Sequence, residues 1–174
     1  LKKEGENNFI KIKKAYDNED LINLLEEEIT KFLVKLSKRE IAENEKVILA
    51  STFHVITDIE RIGDHAKNIV ELATEKMEKN LKYTNEAIKE LYEIYDYTLK
   101  ALEIAISSYE NKNPEEAKKI NDVEASIDDA QARFRIEHIK RLYDDRCTAY
   151  TGAIFLDLIS NFERIGDHST NIAQ

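Results

Sequence analysis

Residues 60–65 and 163–168 both read Glu-Arg-Ile-Gly-Asp-His, so the chain carries the same six letters twice at a separation of 103 positions. The match continues outward, pairing Asn68 with Asn171 and Ile69 with Ile172. Upstream, the segment 13–29 lies over 118–134 at an offset of 105, which pairs Glu19 with Glu124 and Asn23 with Asp128. A slip of two residues belongs in a loop between helices, so the repeating unit is a helical hairpin or more, a unit that buries its apolar face only by packing against further elements. Two such units fill most of 174 residues and leave little room for another fold.

Four glycines and one proline leave few places for a chain to turn, and the remaining composition is that of long helices. The expected fold is all-α, an elongated antiparallel bundle. Apolar residues recur at helical spacing over 9–36 and 47–77. A third helix opens near Thr84, with Ile88, Leu91, Ile94, Tyr95, Leu99, Leu102 and Ile106 as its predicted stripe. Asn113-Pro-Glu-Glu reads as a start signal, with a capping amide, a proline at the first helical position and acids facing the positive end of the dipole. The fourth helix runs from there to about Tyr143 and the fifth over 153–173. Helices of about 30 residues measure about 45 Å, and short loops make neighbours antiparallel. We expect a first unit at 1–82, with two helices and a leading helix that would precede Leu1, and a second unit at 83–174 with three.

The formal net charge of −9 speaks against nucleic acid as a ligand, because affinity for a phosphate backbone comes from clustered Lys and Arg. A cationic partner suits it better. The lone Cys147 has no partner for an internal disulfide and fits a reducing, cytoplasmic compartment. No apolar stretch approaches the roughly 18 residues that would span a bilayer.

The repeated octet places a glycine inside a helix, at a cost of about 0.5–1 kcal/mol relative to alanine, and two acids at i, i+4, at a few tenths more. In the first copy, Ile56, Ile59, Gly63, Ala66, Val70 and Ala73 form the predicted seam, with Glu60 and Asp64 beside it. Burial would raise the cost of that acidic pair unless a cation or proton neutralised it. The companion helix repeats the spacing in Glu124 and Asp128. Two antiparallel helices would thus gather Glu124, Asp128, Glu163 and Asp167, where carboxylate oxygens suit hard or borderline cations such as iron, manganese, magnesium or zinc. In the first unit the set is Glu19, Glu60 and Asp64 with the neutral Asn23, and weaker metal binding is expected there. The competing reading is a solvated acidic face paired with Arg61, Arg164 and nearby lysines. His65 and His168 lie about 100° round the helix from the preceding Asp and are better placed to cap or hydrogen-bond than to ligate. The tyrosines read as core and rim, and Cys147 as a loop thiol. No nucleophile motif is present.

Residues 58–69, DIERIGDHAKNI, and 161–172, NFERIGDHSTNI, each behind a helix with E-x-x-x-D or its variant, resemble the signature of the PhoU family of phosphate-uptake regulators. The resemblance covers essentially the whole chain. It implies two similar three-helix bundles, no enzyme activity, and multinuclear iron or zinc clusters on the E-x-x-x-D motifs. Residues 147–173 resemble more narrowly the cytoplasmic PhoU-like domain of bacterial sodium/phosphate cotransporters, which implies a place at the inner face of the membrane beside a phosphate transporter. A free-standing regulator of a phosphate ABC transporter and sensor kinase is the alternative, as is a metal-free helical interaction module. A ferritin-like di-iron enzyme is disfavoured, because such sites use Glu-x-x-His on two helices and here Glu60 and His65 are five apart. Self-association is left open.

Overall fold

Helix signals in the sequence become six helices in the computed structural model, which describes residues 2–174, with side chains from residue 8 onward. They are α1 (Lys2–Ser37), α2 (Glu43–Glu78), α3 (Asn85–Asn111), the single turn α4 (Pro114–Ala117), α5 (Ile120–Tyr143) and α6 (Ala149–Ala173). No strand occurs among the described residues. Among the described residues, no helix is long and apolar enough to cross a membrane.

Local chemistry sets most boundaries. Glu45 reaches back to the Ala42 N–H at 2.8 Å to open α2, Thr84 accepts from Ala87 N–H to open α3, and Thr148 accepts from Thr151 N–H to open α6. The last of these moves the fifth expected helix forward to Ala149. Asn113 does cap, accepting from the Glu115 and Glu116 N–H groups, yet the expected fourth helix is not continuous. Lys119 N–H donates to Glu116 O and Asn121 N–H to Lys118 O, so the chain tightens into i→i+3 turns before α5 begins.

α3, α5 and α6 pack as a three-helix bundle around Ile94, Ala101, Ile127, Phe134, Phe155 and Ile159. Complete burial of each large side chain contributes about 1.5–3 kcal/mol. The buried stripe of α3 is Ala87, Ile94, Thr98, Ala101, Ala105 and Ser108. The predicted stripe is therefore rotated: Ile88, Tyr95, Leu99 and Ile106 are exposed. Small residues face inward because α3 lies close to α5 and α6, close enough for the Thr98 hydroxyl to donate to the Phe162 carbonyl of α6.

α1 and α2 form a hairpin, and α2 lies along α6. The hairpin has a smaller core of Leu33, Leu49 and Ile56, flanked by Leu36, Ile41 and Phe53. Of the seam expected on α2, Ile56 and Gly63 are buried, but Ile59, Ala66 and Ala73 are exposed. The reason appears at their counterparts. Phe162 and Ser169, which stand where the first copy has Ile59 and Ala66, lie in the three-helix unit beneath α3, whereas no helix covers that face of α2 among the described residues.

Candidate metal centre

The seam glycine of the second octet stands where a side chain would not fit, and that of the first where one would be tight. A Cβ on Gly166 would stand 2.7 Å from Ile127 Cδ1, and one on Gly63 would stand 3.2 Å from Ile22 Cδ1. Ile22 and Ile127 are themselves counterparts in the repeat, so both hairpins cross at the same register. That crossing fixes which acids meet.

In the second unit, Asp128 of α5 and Glu163 and Asp167 of α6 present carboxylate oxygens within 4.8 Å of one another. Among the described residues this is the group of three or more candidate ligands that comes together. Partial burial first, then the neighbouring Asp167 charge, pushes the carboxyls of Glu163 and Asp128 above their ordinary range; Arg164 opposes the shift at Glu163. Arg164 Nη1 stands 3.2 Å from Asp167 and its Nε 3.6 Å from Glu163. Arg164 thus stands over two of the three acids. Three oxygen donors from two helices suit a hard or borderline cation.

Glu124, the fourth acid of the expected set, is not among the three whose oxygens lie within 4.8 Å of one another. With Ile127 opposite Gly166 in antiparallel helices, one turn back along α5 from Asp128 corresponds to one turn forward along α6 from Asp167. Glu124 is therefore level with the turn holding Ser169 and Thr170, away from Glu163. The Thr170 hydroxyl there is buried without a hydrogen-bond partner.

In the first unit the acids do not converge in the same way. Glu60 and Asp64 lie near Arg61, at 3.6 and 3.7 Å. Burial, then Asp64, and also Glu26 push the Glu60 carboxyl up, against Arg61. Glu19 is 5% exposed and accepts from Asn23 Nδ2 at 2.8 Å, while Lys67 Nζ stands 3.2 Å from the same oxygen. The Asn23 amide first, and Lys67 with it, hold the Glu19 carboxyl below its ordinary range despite burial. Sequence reasoning overlooked Glu26 and Lys67. Lys67 had a visible signal, since it is one of two non-matching letters in DHAKN against DHSTN and the charged one.

The octet histidines turn away from the acids and join the hairpin to the second unit. His65 Nδ1 donates to Asn161 at 2.9 Å and His168 Nδ1 to Asp58 at 2.8 Å. Asn68 and Asn171 donate to the same two acceptors. The imidazole rings stack at 5.7 Å between centroids. Asp58 and Asn161 each stand two residues before their octet, so α2 and α6 clasp with near two-fold symmetry. Cys147 is half-buried, its Sγ 3.9 Å from His138 Nδ1. His138 in turn occupies the space a Gly152 Cβ would take.

The paired helical hairpins agree with a fold found among known proteins. The PhoU domain profile matches residues 6–73 and 91–174. The PhoU structure from Pseudomonas aeruginosa superposes with a TM-score of 0.86 over 93% of this chain and 77% of its own, at 22% identity, a likeness of fold. The phosphate-specific transport system accessory protein PhoU homolog 1 of Thermotoga maritima is 25% identical over 168 residues, 93% of this chain and 69% of the relative. A longer Escherichia coli protein, YjbB, named as a candidate inorganic phosphate exporter, is 22% identical over 88% of this chain and 29% of its own length. With two profile segments covering most of its residues, the chain belongs to the PhoU family.

Proposed function

We propose that this chain is a regulatory component of phosphate transport whose second unit binds a metal ion through Asp128, Glu163 and Asp167. The observation that carries the metal is the convergence of those three carboxylates within 4.8 Å, with Glu163 and Asp128 pushed up by burial and mutual repulsion. A bound cation would supply the positive charge that the crowded acids lack. It would also tie α5 to α6, so that metal occupancy and the packing of the three-helix unit become one equilibrium. Glu124 is a neighbour of this site. Glu19, Glu60 and Asp64 form the weaker one. Iron or zinc is the first choice for a cluster of this kind.

Transport enters through the family and through relatives named as accessory proteins of phosphate-specific transport systems. Those relatives favour a free-standing regulator of a phosphate ABC transporter over the domain of a sodium/phosphate cotransporter. The cotransporter-like reading is favoured by one observation, the match to 29% of the longer YjbB. In either case the partner is a membrane phosphate transporter and the place of action is the cytoplasmic face of the membrane.

Elemental analysis of protein purified without chelator tests the metal. The wild-type protein carries iron or zinc, and Glu163→Ala combined with Asp167→Ala removes it while far-UV circular dichroism keeps its helical amplitude. Unchanged metal content in that double variant would overturn the assignment.

A further inference from the structure

We propose that Arg164 selects which cation the second unit accepts: it holds one oxygen of Glu163 and one of Asp167, leaves each ligand a single oxygen for an ion, and so favours a small cation such as Mn²⁺ over Ca²⁺. The inference rests on the metal reading of Asp128, Glu163 and Asp167. It concerns a residue of this chain that touches two of those three ligands.

The contacts are specific to the atom. Arg164 Nη1 donates to Asp167 Oδ2 at 3.2 Å, and its Nε stands 3.6 Å from Glu163 Oε2. A planar guanidinium can span two carboxylates through one oxygen of each, whereas the point charge of a lysine cannot. Arg61 takes the same pose in the first octet, 3.6 Å from Glu60 Oε2 and 3.7 Å from Asp64 Oδ2, so the arrangement belongs to the repeated motif. What it does to a bound ion follows from coordination number. Ca²⁺ collects about 6–8 oxygens and commonly takes both oxygens of a carboxylate, at about 2.3–2.6 Å. A two-oxygen grip by Glu163 or Asp167 would bring such an ion onto the oxygen that the guanidinium already faces, charge against charge. A smaller ion is satisfied by one oxygen from each carboxylate and keeps waters in its remaining positions. Partners of this outer kind fix how metal ligands present themselves.

Calorimetric titration of chelator-treated protein with Mn²⁺ and with Ca²⁺ tests this, in a Glu60→Gln/Asp64→Asn background so that the heat comes from the second unit. With Arg164 in place, Mn²⁺ binds about tenfold or more tighter than Ca²⁺. Arg164→Met, at a side chain 56% exposed, keeps the far-UV circular dichroism amplitude and narrows that ratio about fivefold or more, chiefly by tightening Ca²⁺. A change in packing or in net charge alone would move both divalent ions together, so the ratio reports on the ligand oxygens. Arg164→Lys, which keeps the charge and loses the fork, also narrows it. An unchanged ratio in an Arg164→Met protein that binds Mn²⁺ overturns the selector, as does full selectivity in Arg164→Lys or a preference for Ca²⁺ with Arg164 in place. Failure of the Arg164-bearing protein to take up either ion overturns the metal reading of the second site itself, and the selector with it.

Discussion

The α1–α2 hairpin and the α5–α6 hairpin descend from one sequence pattern and differ in what lies on either side of it. α5 and α6 are roofed by α3, and three of their acids crowd together beside Arg164. α1 and α2 have an open face, with Leu24, Phe32, Val47 and Ile48 exposed, and their most buried acid is held by a lysine. Identical octets thus end in different environments, because a helix motif fixes which atoms it offers and its neighbours decide what those atoms need.

The largest expected difference between the two hairpins is in the cost of removing an aromatic ring. Phe134 is 1% exposed in the covered unit and Phe32 is 62% exposed in the open one. Phe134→Ala should lower the free energy of unfolding by about 3–5 kcal/mol, through lost transfer energy and a cavity that α3 and α6 cannot close. Phe32→Ala should stay within about 0.5 kcal/mol. Urea unfolding at fixed protein concentration measures both. A large loss at Phe32 would mean that its face is covered in solution, by a partner or a second copy, and the comparison as drawn would break.

The seam glycines give the next difference. An alanine at either position gains about 1 kcal/mol of helix propensity. At Gly166 the new methyl would press on Ile127, which is 1% exposed and has nowhere to go; overpacking of this kind costs about 1–3 kcal/mol. At Gly63 the neighbour is Ile22, half-buried, and the contact at 3.2 Å needs a shift of a few tenths of an ångström. Gly166→Ala should therefore destabilise and Gly63→Ala should be neutral or mildly stabilising in thermal melts. The reverse order would show that the open hairpin is the tighter of the two.

These contrasts also mark how far the sequence could be read. The repeat, the helices and the pairing of Glu19 with Glu124 were legible, because helical periodicity and repeated letters are local. The face of α3 was not: Ile88, Tyr95, Leu99 and Ile106 look like a core stripe, and only the close approach of α5 and α6 selects Ala101, Ala105 and Ser108 for the inside. Which of Glu124, Asp128, Glu163 and Asp167 approach one another was not legible either, because spacing along one helix says nothing about the level at which the facing helix crosses; Ile127 opposite Gly166 marks that level. Lys67 is legible only as a charged letter where the second copy has Thr170.

The clasp between α2 and α6 offers a smaller and more symmetric comparison. Asp58 accepts from His168 and Asn171, and Asn161 accepts from His65 and Asn68. Removing either acceptor strands a pair of donors at a partly buried interface. Asp58→Ala, which removes a carboxylate acceptor, should cost about 1.5–3 kcal/mol, as hydrogen bonds to charged groups do, and Asn161→Ala about 0.5–1.5 kcal/mol. Urea unfolding of the two single variants measures both, and equal penalties would mean that the aspartate acts as a neutral acceptor would.

The last difference is one of sign and small in size, and it is read on chelator-treated protein. Glu163 is pushed up in the folded state by burial and by Asp167, so folding favours its protonated form; the stability it contributes is present below its unfolded pKa near 4.5 and is lost as pH rises through the folded value. Glu19 is held down, chiefly by the Asn23 amide and then by Lys67, so its contribution is present above the same unfolded value and is lost as pH falls through the folded one. Glu163→Gln should therefore raise the melting temperature of metal-free protein above pH 5 and flatten its decline, whereas Glu19→Gln should lower it over the same interval. Added Zn²⁺ should reverse the first effect, because the glutamine gives up a ligand, and leave the second unchanged, because Glu19 is already paired with Lys67. If Zn²⁺ rescued Glu19→Gln as strongly as the wild type gains from it at the second site, the two hairpins would share one kind of occupant after all.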